Sequence, residues 1–310
     1  MIVLKQEKNK LRQILFGGQE KTGLLKAVPF YFIFICAGFV YLYPLIGAVI
    51  TSFMSPDDLV NPTVTWIVNE IYLGNYVQAI KTLDFGIAIL NSFLMSLIPA
   101  LLQTMAAAVV GFGLARFKFP FKNIITVLMV AVFFMPNQVL LIPRYLLFDN
   151  LNLLNNVLSV YLPALLGQGL SSSVFILVYM QFFKSYPLAF DEAADLDGAS
   201  KVKIFGLIAL PLAKSATVLS LLFSFVWYWN ETAQSNLFFG AAFPTLPMLL
   251  QQFNSRFESM FGGDVGAVGS ATAAVSMAGT ILVIAPILVI YIVLQKQFTE
   301  SIERSGITGE

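Results

Sequence analysis

No histidine occurs anywhere in these 310 residues, and the single cysteine, Cys36, lies inside an apolar run. Without histidine or a cysteine cluster the commonest transition-metal ligands are missing, which argues against zinc, haem and iron–sulfur chemistry. One cysteine also rules out an intramolecular disulfide. Charge is scarce: Asp, Glu, Lys and Arg make up 11% of the chain, against roughly 25% in soluble domains. The net charge of +1 gives no reason to expect nucleic acid as a partner. There is no phosphate-binding loop. Residues 17–22, GGQEKT, superficially approach one, but the Gly-Lys-Ser/Thr ending is absent and an apolar run follows where a strand should precede. No internal repeat or low-complexity tract is visible.

What is abundant is apolar surface, 58% of the residues. Six runs, at about 27–53, 86–115, 124–148, 162–183, 215–239 and 271–294, each come near the roughly 20 residues needed for a helix to cross a bilayer. They are continuously apolar, without the short alternating segments of a transmembrane barrel, so the fold class is all-α integral membrane with six transmembrane helices. Pro44, Pro136 and Pro286 fall inside the first, third and sixth runs, where proline removes a backbone hydrogen bond and kinks a helix. Fifteen of the 18 Lys and Arg residues fall before residue 27, in 116–122, in 184–214 or after residue 294; only Lys81, Arg144 and Arg256 fall on the other side. The positive-inside rule then places both termini and the 184–214 loop in the cytoplasm. Residues 1–26 read as a charged cytoplasmic arm on anionic headgroups, not as a cleavable signal; 27–294 form the six-helix transmembrane domain and 295–310 a cytoplasmic tail. Trp66, Tyr72 and Tyr76 in the first outer loop fit an interfacial aromatic belt, and the second long outer loop spans about 240–270.

Between the fourth and fifth runs lies DEAADLDGASKVKIFGLIALPLAK, residues 191–214. Pro187 stops the fourth run. Residues 191–196 then read as a short helix with its acids at the N-terminus, where the macrodipole favours them. Gly198 breaks it, and Ser200 is suited to cap a second helix that leads to a kink at Pro211. Small residues at 193, 194, 198 and 199 allow another surface to approach the backbone closely. The alternative is a solvated loop that merely closes a helical hairpin.

This segment resembles the EAA loop of ABC importer permeases, matching at Glu192, Ala193, Ala194, Asp197, Gly198, Ala199, Leu210, Pro211 and Leu212. Where the family often continues with a second proline, Ser215 stands here. Short matches elsewhere, among them Leu114–Pro120 (LARFKFP), Met135-Pro136 with Gln138, and Trp227–Asn230 (WYWN), resemble the maltose-type oligosaccharide permeases in their order. The resemblance implies a type I ABC importer permease fold. It also implies a prokaryotic inner-membrane location and a transport subunit without an ATPase site of its own. Its partners would be a second homologous permease, two ABC ATPase subunits that hold ATP and Mg, and an extracytoplasmic solute-binding protein delivering a sugar or oligosaccharide. No cofactor would be bound by this chain. Residues 192–194 and 197–199 would contact the ATPase, and the 240–270 loop and the tail would reach toward the binding protein and the ATPases respectively. The remaining alternatives are an ABC permease for a non-sugar solute, an autonomous ion-coupled carrier or channel, and a membrane enzyme, for which no catalytic constellation is visible.

Trp229, Asn230, Glu231, Gln234 and Asn236 lie in the outer half of the fifth run, and Gln138 in the third. Polar groups at that depth are costly in lipid, so they are candidates to line a sugar path, where ring stacking and amide or carboxylate hydrogen bonds combine. An aromatic belt with ordinary helix-end polar groups is the alternative. Gln103 and Thr104 in the second run are further candidates, with helix–helix hydrogen bonding as their structural alternative.

Overall fold

The computed structural model describes residues 17–18, 21–22, 24–262 and 268–302; most of the N-terminal arm, residues 263–267 of the second outer loop and the last eight tail residues lie outside them. A two-residue hairpin, β1 (Gly17–Gly18) and β2 (Lys21–Thr22), precedes α1 (Leu24–Ser52). Then follow α2 (Pro56–Val60), α3 (Gly74–Thr82), α4 (Phe85–Arg116) and α5 (Lys122–Phe133). A 3-10 turn at Asn137–Leu140 leads to α6 (Leu141–Asn150), α7 (Leu158–Leu165) and α8 (Ser172–Ser185). Next come α9 (Ala189–Leu196), α10 (Lys201–Ile204), a π turn at Phe205–Ala209 and α11 (Leu210–Leu212). The chain closes with α12 (Lys214–Asn230), α13 (Ala233–Phe239), α14 (Leu246–Gln251), α15 (Phe253–Phe261) and α16 (Val268–Ile302).

Three helices, α1, α4 and α16, are long and apolar enough to cross a membrane unbroken. Three further helix pairs pass the same test of length and composition only when taken together, each bent at its break: α5 with the 3-10 turn and α6, by 101°; α8 with α9, by 75°; and α10–α11 with α12, by 79°. Counting each pair once gives up to six candidate spans, the number the hydropathy predicts. Pro44 and Pro286 sit inside continuous helices, so only Pro136 coincides with a break. Three predicted runs are corrected. The fourth does not run from 162 to 183: α7 ends at Leu165 and α8 begins at Ser172, with a turn between them in which Gly167 (φ +72°) and Ser171 (φ +49°) are left-handed. The third breaks at residues 134–136, and the fifth ends at Asn230 before α13. Pro136 marks the third break and the polar pair Glu231-Thr232 the fifth, whereas Leu166 and Leu170 let the fourth break pass as part of an apolar run.

The described residues form two compact units. One comprises the residues up to Tyr76 and α16 up to Ile281. In it the outer loop is fastened by Asn75, whose Nδ2 donates to the carbonyls of Ser52 (3.0 Å) and Met54 (2.8 Å), and by Asn69, whose backbone N–H donates to Asp58 Oδ2 (3.2 Å). Trp66 meets Tyr43 edge to face.

The other unit is built around α4, which packs most extensively against α8 and α12. Lipid tails are as apolar as leucine, so helix association in a membrane rests on close van der Waals contact, and small residues permit it. Ala100, Ala107, Ala108 and Gly111 supply that face on α4, and all are buried. A Cβ at Gly111 would lie 2.6 Å from Tyr179 Cβ and 3.0 Å from the Met180 nitrogen, so α8 lies against bare backbone there. Phe112, Phe175, Ile176, Tyr179 and Phe183 fill the core around this crossing. Toward the other end, Ser92 Oγ accepts from the Leu246 N–H (2.8 Å), and Arg256 pairs with Asp84 (2.9 Å), holding α14 and α15 to the start of α4.

Candidate functional site: the hairpin between two spans

α9 ends as its sequence dictates. Gly198 takes φ +74°, the left-handed cap conformation that a Cβ disfavours. The N–H groups of Gly198 and Ala199 return to the carbonyls of Asp195 (3.0 Å) and Ala194 (2.9 Å), the paired bonds of a Schellman motif. Ser200 is extended and its Oγ accepts from the Lys203 N–H, capping α10 as expected. Lys201 Nζ meets Asp195 Oδ1 at 2.7 Å, an exposed pair worth at most about 1 kcal/mol.

One face of this hairpin is anchored. Ala194, expected at the ATPase contact, is instead buried on the inner face of α9, and with Ile204 and Ala209 it joins the core formed by Phe112, Phe183 and Tyr186. Beneath α9 lies an arrangement of three side chains that sequence reasoning did not anticipate. Arg116, the last residue of α4, places Nε 3.2 Å from Asp191 Oδ2, with only 7% and 12% of the two side chains exposed. Arg116 Nη2 donates to the Tyr186 carbonyl (2.9 Å), its guanidinium lies 3.8 Å over the Tyr186 ring, and the Tyr186 hydroxyl donates to Asp191 Oδ1 (2.7 Å). Burial, together with that bond to Asp191, pushes the Tyr186 hydroxyl up to about 12. It therefore remains a donor at any physiological pH. The ends of α4 and α8 and the start of α9 are thus clasped by one charged group.

The opposite face is open. Glu192, Ala193, Asp197 and Gly198 are exposed, and among them stand Leu196 (90% exposed), Val202 (79%) and Leu207 (76%). Large apolar side chains exposed on a charged hairpin outside the apolar runs mark an interaction surface. Nothing in the sequence sets these three aliphatic residues apart. A Cβ at Gly198 would meet nothing within 4 Å, so the glycine leaves free space on the outer side.

Of the residues predicted to line a path, Trp229, Asn230, Glu231, Gln234 and Asn236 sit at the α12–α13 break, and Gln138 lies apart in the 3-10 turn. Trp229 is 2% exposed and packs against Phe93 and Phe225, its indole Nε1 without a hydrogen-bond partner. Asn230 Nδ2 donates to the Val226 carbonyl, and Glu231 Oε1 accepts from the Gln234 N–H (2.7 Å), both bonds local to the α12–α13 break. Gln234 is buried, whereas Asn236 donates to Gln251 Oε1 at 3.3 Å. Gln138 is exposed; its neighbour Asn137, not Gln138, lines a cavity. Gln103 is fully buried in a hydrogen-bonded network with Tyr228 and Leu170. Replacing Trp229 by Ala should cost about 3–5 kcal/mol through loss of the buried ring, and Phe should recover most of it. Thermal unfolding of the purified variants checks this.

Residues 107–304, nearly two thirds of the chain and including α8 through α12, match the family described as binding-protein-dependent transport system inner membrane component. The chain belongs to that family. It is a permease subunit, a transport component and not an enzyme. Relatives include the osmoprotective compounds uptake permease of Synechocystis sp., 27% identical, covering 76% of this chain and 80% of the relative. The sulfoquinovosyl glycerol transport system permease of Agrobacterium fabrum is 25% identical over 86% and 89%. A probable starch degradation products transport system permease of Thermoanaerobacterium thermosulfurigenes is 24% identical over 87% and 93%. The fold matches a chain of a bacterial ABC transporter involved in the import of the acidic polysaccharide alginate, with a TM-score of 0.74, 20% identity, and coverage of 88% of the permease and 96% of that chain.

Proposed function

We propose that this permease, together with a second homologous permease, encloses the pathway of an ATP-driven importer for a sugar or oligosaccharide. An extracytoplasmic binding protein delivers the substrate, and two ABC ATPase subunits bind ATP and Mg and drive the cycle. Two of the relatives have sugar-derived cargo, which supports the substrate class. The charge distribution supports cytoplasmic termini and a cytoplasmic α9–α10 hairpin. The observation that carries the mechanism is the two-sided hairpin: buried and clasped toward α4 and α8, exposed and part apolar on the other side.

An ATPase subunit docks on Glu192, Ala193, Asp197 and Gly198 and covers Leu196 and Val202. When ATP closes the ATPase pair, the docked α9 is displaced, and its clasp to α4 and α8 transfers the movement to the spans. The shift needs ATP to bind the two states differently, as any such coupling does. Co-purification from the native membrane tests the assembly: a second permease and an ATPase should accompany the tagged chain, and a homomer without ATPase would overturn the proposal.

Gly198→Trp tests the docking surface. A Cβ at this position meets nothing within 4 Å, so the main cost within the chain is the left-handed backbone, about 1–2 kcal/mol. Expected are normal membrane insertion, loss of the co-purifying ATPase and loss of uptake. Gly198→Asn, which tolerates the same backbone without the bulk, should retain both. Undiminished uptake by the Trp variant would sink the docking assignment.

A further inference from the structure

A partly enclosed cavity of about 280 Å³ lies among α5, the 3-10 turn, α6 and the turn before α8. One flank is apolar, from Leu128 to Phe133 on α5; the polar lining is Asn137, Arg144, Gln168 and Ser171–Ser173, with no carboxylate among the lining residues. Three arginines are among the described side chains. Arg116 and Arg256 each face an aspartate, whereas Arg144 lies within ion-pair distance of no described carboxylate. Its one hydrogen bond is Nη2 to the Gln168 carbonyl, 3.1 Å. A guanidinium has five N–H donors in a planar fork and never deprotonates, so most of its bonding capacity is unused. An ionisable group within a membrane span marks a functional site with a partner to be named.

Two further observations point to a ligand. Ser172 is buried, lines the cavity, and its Oγ has no hydrogen-bond partner. Ser172 is also the first residue of the 14-residue α8, whose N-terminal end favours negative charge. The floor is held rigid from behind: Gln103 Nε2 donates to the Leu170 carbonyl (2.8 Å), Tyr228 donates to Gln103 Oε1 (2.8 Å), and the Leu170 N–H donates to the Tyr228 oxygen (3.1 Å). A preformed cavity near the lower end of the ~300 Å³ range for small-molecule sites has room for about one sugar ring.

We propose that this cavity is a subsite for an acidic sugar, its carboxylate or sulfonate held by the Arg144 fork and Ser172 Oγ and its hydroxyls by Asn137 and Gln168. The assignment deepens the sugar-importer reading and rests on it. A phospholipid headgroup also carries an oxyanion beside hydroxyls, and the experiment separates the two sources.

The complete transporter, with its co-purifying subunits, is placed in nanodiscs of phosphatidylcholine, and glucuronate binding is measured by saturation-transfer NMR against glucose. Glucuronate should bind at least tenfold more tightly than glucose. Arg144→Gln should remove that tenfold preference, and Arg144→Lys, which keeps the charge but loses the fork, should retain part of it. Ser172→Ala should weaken glucuronate severalfold. No preference in the wild type, or a preference indifferent to Arg144→Gln, overturns the proposal. So does loss of the preference when phosphatidylglycerol replaces phosphatidylcholine, which would assign the cavity to lipid. ATP-driven uptake by the wild-type transporter, measured in parallel, keeps failure of the subsite distinct from failure of the importer reading.

Discussion

Asp191→Ala is expected to leave the permease in the membrane yet disconnect ATP use from uptake. The substitution strands the Arg116 guanidinium in a buried site, and breaking a buried ion pair on one side costs about 3–5 kcal/mol. That cost falls on α9, not on the whole domain, because in α9 only Asp191 and Ala194 are buried, whereas α4 and α8 retain their long crossing. A local element released by that much shifts its attached-to-detached ratio by roughly 10² to 4 × 10³. ATPase activity should then persist while uptake per ATP hydrolysed falls at least tenfold. Paired measurement of both in proteoliposomes decides it, and coupled uptake at the wild-type ratio would refute the clasp. Joint replacement by Arg116→Met and Asp191→Leu separates attachment from charge. Exchanging a buried ion pair for apolar side chains is often neutral or stabilising, so if attachment is what matters, the double variant should recover coupling that Asp191→Ala alone has lost.

The clasp also shows where the sequence could be read and where it could not. Gly198 and Ser200 declared the hairpin's turn and cap, because left-handed backbone and N-capping are local demands met within five residues. The long spans α1, α4 and α16 were equally legible, since an unbroken apolar helix carries its own signal. Arg116 and Asp191 were each visible, one at a span end and one beside the EAA segment, but nothing local pairs a cation with an anion so distant in the chain. The same limit explains Trp229 and Gln103. Depth along a helix can be counted from the sequence, but whether a polar group at that depth faces a path or a neighbouring helix depends on which helices adjoin it. Leu196, Val202 and Leu207 were illegible for the opposite reason: in so apolar a chain, an aliphatic residue stands out only once the structure shows it exposed on a charged hairpin.

Gly169→Ala should be among the most damaging single-methyl changes in the chain, although Gly169 belongs to neither the hairpin nor any helix. A Cβ there would run into Gln103 Oε1 and the Tyr228 hydroxyl and lie 3.0 Å from Ala164 Cα. Two of these atoms belong to the network that ties the turn before α8 to α4 and α12, so the methyl displaces the hydrogen bonds and not merely a flexible chain end. Leaving the Gln103 and Tyr228 groups buried and unpaired costs about 1–3 kcal/mol each, hence about 2–6 kcal/mol in all, read as a lowered midpoint of thermal unfolding. Combining Gly169→Ala with Tyr228→Phe and Gln103→Ala empties the space the methyl needs and removes the polar atoms it would orphan. In that background the methyl should cost less than half of what it costs alone, the non-additivity expected of groups that share one site. Equal cost in both backgrounds would place the damage at Ala164 and the backbone instead, and a fully stable Gly169→Ala would show that the turn can shift away from α4, contrary to the closeness on which the rigid floor of the Arg144 cavity depends.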